Sequence, residues 1–420
     1  MNRLIGSVII VSLGFPLFAE TPGSLTLKQC YDAALVQDET LKNQREDVAQ
    51  SHARGLQALS GALPDISWNW SDTHQDMTGL NSGFGNFIEE EQVESKFTLK
   101  QPIFSGFREF SAHAGFKNEQ ARNRLRLRRA ELELFQRVAL AFYRVAGLEA
   151  DSANVETSIG LAQDRVKELR SFFKLGKSRE SEVFSAESQA ASLRAQKVRL
   201  RGMIRAARED LFHLMGRDGS ETPLIDTLET AATTVPLEPL ATRADKRSDV
   251  EAQRQDMEVQ RLRIRYEKGR RSPVLDFTGN YYTHRPSFFD RIDWDAKLNL
   301  AVPLYQGGFV NARAREAESQ YRQSRLRYED VSRRAETDVR KAHENWTAAV
   351  EEIAVLEEAY NAAKKSHDAQ SKEYRLGLVT NLEVIQALNV LQASKKDWDD
   401  ARFEAKRQYV ALLVATETLP

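Results

Sequence analysis

Apolar residues recur at alternating spacings of four and three in two parts of the chain. The longer series lies at 342–374 and the shorter at 159–173, and a mean spacing of 3.5 is typical of helices that pack along their whole length. Each series lies in a stretch without proline, 103–222 or 304–419, so a helix can continue there without a break. The pattern therefore predicts unusually long helices.

These stretches predict two helical hairpins of equal size. The long helices are expected over about 107–173 and 308–374, which is 67 residues each, or roughly 100 Å. The returning helices, over 180–215 and 381–416, would each span only about 54 Å. Each returning helix can therefore cover only part of its long partner, and another short helix is needed to cover the rest.

The turns of the two hairpins share one sequence pattern. Gly176 and Gly377, which are 201 residues apart (377 − 176), are placed to end the long helices with a left-handed residue. Thr380 and Glu383 form a capping-box sequence that begins the last helix. The repeated turn predicts a tandem duplication, in which each copy ends in a hairpin. The expected boundaries are a first copy at 20–216, a linker at 217–240 and a second copy at 241–417.

Each copy also contains two segments in which apolar and polar residues alternate, most strictly at 65–72 and 294–303. Alternation with a period of two is the pattern of a half-buried strand. It predicts one β-pair within 64–104 and another within 273–303, each preceded by an opening helix at about 25–62 or 241–268. The order of elements is therefore the same in both copies.

Composition excludes several classes of protein. The 60 basic and 61 acidic residues leave a net charge of −1, so no nucleic-acid partner is expected. Mean hydropathy is −0.52, and no stretch beyond the N-terminus is apolar enough for a transmembrane helix. Residues 1–19 have the form of a secretory signal peptide. The histidines and the single cysteine, Cys30, have no metal-ligand spacing, so we expect no metal, no cofactor and no catalytic residue.

The alternating strands indicate how an exported chain of this kind reaches a membrane. Their apolar faces suit lipid and their polar faces suit a water-filled lumen. Four strands cannot close a barrel, and an open edge is not stable in lipid, so the chain must oligomerise with two, three or four subunits. The alternative is a periplasmic coiled-coil scaffold without a pore. An aromatic girdle would be formed by Trp68, Trp70, Tyr281, Tyr282 and Trp294.

The strand-to-helix sequences Gln101-Pro102-Ile103-Phe104-Ser105-Gly106 and Val302-Pro303-Leu304-Tyr305-Gln306-Gly307-Gly308, together with the two turns and the duplication, resemble the TolC-like outer-membrane efflux protein family. The resemblance implies a mainly α fold with long hairpins forming a trimeric α-barrel, and four strands per chain contributing to a 12-stranded β-barrel. It implies a homotrimer in the outer membrane of a Gram-negative bacterium, with a periplasmic adaptor protein and an inner-membrane pump as partners. The expected function is a passive duct for efflux or type I secretion.

The resemblance also implies roles for residues around the two turns. Glu383 and Gln386 would form the pore constriction, with Glu182 and Ser185 as their counterparts in the first copy. Glu383 can equally serve only its capping box, and the two roles are compatible. The residues that would contact the adaptor, or that simply close the hairpins, are Leu175, Gly176, Lys177, Leu376, Gly377 and Leu378.

Overall fold

The computed structural model describes residues 23–76, 90–218, 221–228, 236–286 and 290–418. The expected signal peptide at 1–19 lies outside these residues. Along the chain the elements are β1 (Leu25–Thr26), α1 (Leu27–Gln37), α2 (Glu39–Ser60), β2 (Asp65–His74), β3 (Glu91–Phe104), α3 (Arg108–Lys174), α4 (Glu180–Met215), β4 (Leu224–Ile225), α5 (Leu237–Ala241), α6 (Ser248–Gly269), β5 (Val274–His284), β6 (Trp294–Ala301), α7 (Phe309–Arg375) and α8 (Asn381–Thr416).

The four hairpin helices agree with the prediction to within one residue at each end. Helices α3 and α7 have 67 residues each, and α4 and α8 have 36 each. The long helices begin after a left-handed residue, which is Gly308 before α7 but Phe107 before α3. Because a side chain at such a position costs about 1 kcal/mol or more, the start of α3 carries strain that the start of α7 does not.

The opening helices differ from the prediction. The helix expected over 25–62 is interrupted at Asp38, whose backbone is not helical. The Asp38 carboxylate accepts a hydrogen bond from the Leu41 N–H at 2.9 Å and lies 3.0 Å from Arg137. Asp38 therefore caps α2, and its contact with Arg137 links the interruption between α1 and α2 to helix α3. The second opening helix, expected at 241–268, starts only at Ser248, after α5 and a short 3₁₀ turn at Ala244–Lys246.

The predicted linker at 217–240 contains structure of its own. Strand β4 pairs in parallel with β1, and the Asp226 carboxylate accepts a hydrogen bond from the hydroxyl of Tyr143, which is fully buried, at 3.1 Å. Lys406 from α8 also contacts Asp226. These contacts hold the linker against the largest buried cluster, which α1, α3, α4 and α8 form around residues such as Phe142 and Leu211.

The four longer strands form one antiparallel sheet in the order β2-β3-β5-β6. The helices next to the sheet keep this order, because α2 packs on α3, α3 on α6, and α6 on α7. In the half farther from the sheet, α4 packs on α3, α3 on α8, and α8 on α7. The short helices thus follow one another along the long ones. Within the described ranges, no helix has the length and apolar character needed to cross a bilayer.

Candidate pore constriction and membrane surface

Both hairpins end in the same backbone turn. Gly176 and Gly377 have φ values of +70° and +76°, and no atom lies within 4 Å of where a Cβ would stand on either residue. The N–H of Lys177 donates to the carbonyl of Phe172 at 2.8 Å, and the N–H of Leu378 donates to that of Glu373 at 3.0 Å. These are Schellman turns, so each glycine is required by the backbone and not by a neighbouring group.

Side chains at the turns point outward. Leu376 and Leu378 are 74% and 71% exposed, and Leu175 is exposed to a similar degree. Gly176, Lys177 and Gly377 are also exposed. The six residues expected to contact an adaptor therefore form two exposed tips, mainly apolar but with one charge at Lys177, which the described part of the chain leaves uncovered.

Glu383 lies in the first turn of α8 and forms the predicted capping box. Its carboxylate accepts hydrogen bonds from the backbone N–H of Thr380 and, at 2.8 Å, from the Thr380 hydroxyl. These bonds hold the pKa of Glu383 below its ordinary value of 4.5. Glu383 is therefore an exposed, permanently charged carboxylate at neutral pH, as a charged constriction requires.

Glu182, the counterpart of Glu383 in the first hairpin, has a different role. It does not cap α4, because the residue before α4 is Arg179 and makes no side-chain capping bond. Instead its carboxylate accepts hydrogen bonds from the hydroxyls of Ser178 at 2.6 Å and Tyr374 at 2.9 Å. Burial alone would raise the pKa of Glu182, but these hydrogen bonds outweigh it and lower the pKa. Glu182 thus joins the start of α4 to the end of α7.

A buried arginine extends this link between the hairpins. Arg165 on α3 is stacked on the Tyr374 ring, with its guanidinium carbon 3.6 Å from the ring centroid. It donates to the Asn381 side chain at 3.0 Å and to Glu168 at 2.8 Å. Arg375 on α7 donates to the other oxygen of Glu168 at 2.7 Å. The four hairpin helices are therefore cross-linked near the tips by one polar network.

Of the residues in this network, the sequence singled out only Glu182. Ser185 and Gln386 are exposed and stand one turn along α4 and α8 from the two glutamates, but neither takes part in it. Arg165, Glu168, Tyr374, Arg375 and Asn381 carry the contacts instead. One sequence feature could have pointed to the network. Tyr374 lies three residues before Gly377, so its ring is at the end of the long helix, where it meets the first hairpin.

The sheet has one apolar face that the described part of the chain leaves open. Strand register aligns Trp68, Phe97, Tyr281 and Trp294 in one row across the four strands. The row is exposed throughout, between 47% at Phe97 and 67% at Trp294. Further exposed apolar residues on this face are Ile66, Trp70, Leu298 and Leu300. Such a continuous apolar surface marks contact with lipid or protein.

The opposite face is polar. Asn69 donates to Thr98 at 3.2 Å, Thr98 to Asn280 at 2.9 Å, and Asn280 to Asp295 at 2.8 Å, which forms a hydrogen-bonded row across the sheet. Tyr282 lies on this face, where its hydroxyl donates to Asp295 at 2.8 Å. Tyr282 is thus separated from the other four residues expected in an aromatic girdle, because adjacent strand residues point to opposite faces.

A comparison with protein-family models matches the outer membrane efflux protein family at residues 30–217 and 243–416. Together these segments cover most of the chain. The chain belongs to the outer membrane efflux protein family. The family resemblance drawn from the turns and the strand-to-helix sequences is therefore confirmed.

Relatives of this efflux protein include the outer membrane protein TolC of Vibrio cholerae, 25% identical over 68% of each chain. The alkaline protease secretion protein AprF of Pseudomonas aeruginosa is 25% identical over 92% of this chain and 83% of its own. Among solved structures, the outer membrane protein VceC of Vibrio cholerae has the same fold. Its TM-score is 0.81 at 18% identity, over 93% of this chain and 95% of that one.

The efflux protein is thus an outer-membrane channel for efflux or secretion, with a large part in the periplasm of a Gram-negative bacterium. Its relatives are channel-forming proteins and not enzymes.

Proposed function

We propose that the efflux protein works as a homotrimer, in which three copies contribute four strands each to a 12-stranded barrel and their helices enclose a periplasmic tunnel. The observation that supports it best is the sheet, which has one exposed apolar face and one polar face. Its edge strands, β2 and β6, each pair with only one strand among the described residues. Barrel closure satisfies both edges, places the apolar row against lipid and directs the polar row into the lumen.

The two copies of the element order support a duplicated subunit. We place the boundary near 217–240, between copies at 20–216 and 241–417. This division accounts for the equal hairpins and for the two segments of the family match. Three duplicated subunits would give a ring of six similar units. Each unit contributes one β-pair to the barrel and one hairpin to the tunnel.

The polar network near the tips supports a gate at the periplasmic end. Closing contacts between the hairpins, through Tyr374 and Glu182 and through Arg375 and Glu168, would hold the four helices together. Three copies of Glu383 would place negative charge at the entrance, with Gln386 as an uncharged second ring. The exposed leucines of the tips suit an adaptor protein, and an inner-membrane pump would supply the energy for export.

Conductance in a planar bilayer tests the channel and the charged entrance together. Purified trimer should conduct, and Glu383→Ala should raise the conductance and reduce the preference for cations, measured from the reversal potential in a salt gradient. Protein that forms no conducting pores, even as this variant, would contradict the proposed function.

Glu383→Gln is the matched control, since glutamine also completes a capping box but carries no charge. If the charge matters at the entrance, both variants lose cation preference. If Glu383 only caps α8, the glutamine variant behaves as the wild type.

A further inference from the structure

The region where strands become helices contains four similar pieces of chain side by side. Two are strand-to-helix junctions, the first junction at 101–108 and the second junction at 302–309. Two are helix-to-strand turns, the first turn at 60–64 and the second turn at 269–273. Corresponding positions are 201 residues apart in the junctions (303 − 102) and 209 apart in the turns (273 − 64), taking the prolines as reference. From the sheet order, they alternate as first turn, first junction, second turn, second junction.

Each junction touches the turn that precedes it in this order. In the first junction, Gln101 donates to the carbonyl of Ala62 at 3.0 Å. In the second, Asn311, just beyond the junction, accepts a hydrogen bond from Arg271. On this side both junctions contact the preceding turn, although through different residues.

On the other side the first junction is tightly packed against the second turn. A Cβ on Gly106 would lie 2.3 Å from the carbonyl oxygen of Gly269 and 2.8 Å from the Cβ of Ser272, so only glycine fits. Arg108 donates to the Tyr266 hydroxyl at 2.9 Å and lies over its ring. The contact joins the two halves of one chain at the base of the sheet.

The second junction has no such contact within the described chain. Gly307 corresponds to Gly106, yet no atom lies within 4 Å of where its Cβ would stand. Leu304 and Tyr305 are 91% and 87% exposed, whereas the corresponding Ile103 is 53% exposed and Phe104 is half-buried. This side of the junction therefore presents two apolar side chains that no described residue covers.

The first turn has a free side as well, at the other edge of the sheet. Leu63, which corresponds to Ser272, is 53% exposed, and Leu56 on the preceding helix is 54% exposed. The free side of the first turn and the free side of the second junction are thus both apolar. They lie at the two opposite edges of the same subunit.

We infer that the second junction of one subunit docks on the first turn of the next copy of this chain. Inside each chain, the first junction packs against the second turn. The inferred contact has the same form, but it joins two neighbouring subunits. Leu304 and Tyr305 would cover Leu63, and Gly307 would approach the turn as Gly106 approaches Ser272. Because the two surfaces differ, the contact is head-to-tail, and in the proposed trimer three such contacts close a ring. The inference rests on the proposed function, since it assigns the residues that join its subunits.

Disulfide trapping between two kinds of subunit tests this contact. Starting from a full-length chain with Cys30 replaced by alanine, one chain carries Leu63→Cys and another carries Gly307→Cys. The two are co-expressed, purified in detergent and oxidised. Covalent dimers should form in the mixture at a level at least tenfold above that of either chain alone, because neither cysteine meets itself in a head-to-tail ring. Tyr305→Cys with Leu63→Cys is the second pair, since a cysteine at Gly307 has to adopt a left-handed backbone.

A mixture of Leu175→Cys and Gly307→Cys chains is the control and should give no dimers, because Leu175 is at a hairpin tip. If the protein is trimeric by mass but neither pair cross-links, the docking contact is wrong and the trimer stands. A Leu63→Cys chain that cross-links to itself would show a symmetric contact and also overturn the inference. A protein that remains monomeric overturns both this contact and the proposed function.

Discussion

At the scale of single residues, two equivalent glutamates have separate tasks. Glu383 caps its own helix, whereas Glu182 bonds to Tyr374, which is 192 residues away along the chain. The difference begins at the residue before each helix, which is Thr380 in one hairpin and Arg179 in the other. Without a threonine partner, Glu182 is free to reach across to the second hairpin.

Replacing Tyr374 with phenylalanine should weaken the closed arrangement of the tips. The ring can still stack on Arg165, but the hydrogen bond to Glu182 is lost, and a bond to a partly exposed charge contributes about 1 kcal/mol. We expect the open state to become about fivefold more populated per subunit, measured as open probability in single-channel recordings. Tyr360→Phe, in the same helix but away from the network, should leave it unchanged.

The same link should respond to acid. The pKa of Glu182 is lowered in the folded protein, so its stabilising contribution is present above the ordinary value of 4.5 and is lost as the pH falls through the lowered value. Open probability should therefore rise on acidification below about pH 4.5. Glu182→Gln should abolish this rise, and a variant that retains it would show that another group is responsible.

At the scale of elements, absence of proline and the glycine at each turn were enough to predict α3, α4, α7 and α8 to within one residue. The break at Asp38 was not predictable in the same way, because aspartate is compatible with a helix interior as well as with a cap. At the break the carboxylate caps α2 and also contacts Arg137, 99 residues later, which the local pattern does not reveal. The local pattern predicted the long helices, but the interruption at Asp38 depends on which of its two compatible roles aspartate takes.

The need for glycine at the turn between α7 and α8 can be tested by replacing two glycines, one in the turn and one in a helix, with alanine. Gly377 has a φ of +76°, so Gly377→Ala should destabilise the turn by about 1 to 2 kcal/mol. Gly160 lies in α3, with no atom within 4 Å of its Cβ position, so Gly160→Ala should stabilise its helix by about 0.5 to 1 kcal/mol. Hydrogen exchange of the amides around each site measures both. Equal signs for the two variants would contradict the assigned backbone roles.

At the scale of the whole molecule, the sheet faces were predictable and the assembly contacts were not. Alternation separates Trp68 from Asn69 and places Tyr281 on one face with Leu275 and Phe277, and the strand register then aligns Tyr281 with Trp294. The network at the tips likewise joins four helices whose contacts are remote in sequence.

Adjacent residues of β6 allow a test of the two faces. Leu298 is on the apolar face and Asn299 on the polar face. Leu298→Arg should cost about 2 to 4 kcal/mol in the membrane and strongly reduce insertion, whereas Asn299→Arg should insert normally. Folding yield into lipid vesicles, followed by the mobility of the unheated protein, measures this. Equal yields for the two variants would argue against lipid contact at the apolar face.

The row of Trp68, Phe97, Tyr281 and Trp294 runs from one edge strand to the other, so it begins at β2 and ends at β6. In the proposed barrel, β6 of one subunit pairs with β2 of the next, and both strands must keep their apolar side chains on the outer face. A slip of a single residue would turn Asp295 and its neighbours toward hydrocarbon. The membrane would therefore reject any seam of the proposed barrel that is misaligned by an odd number of residues.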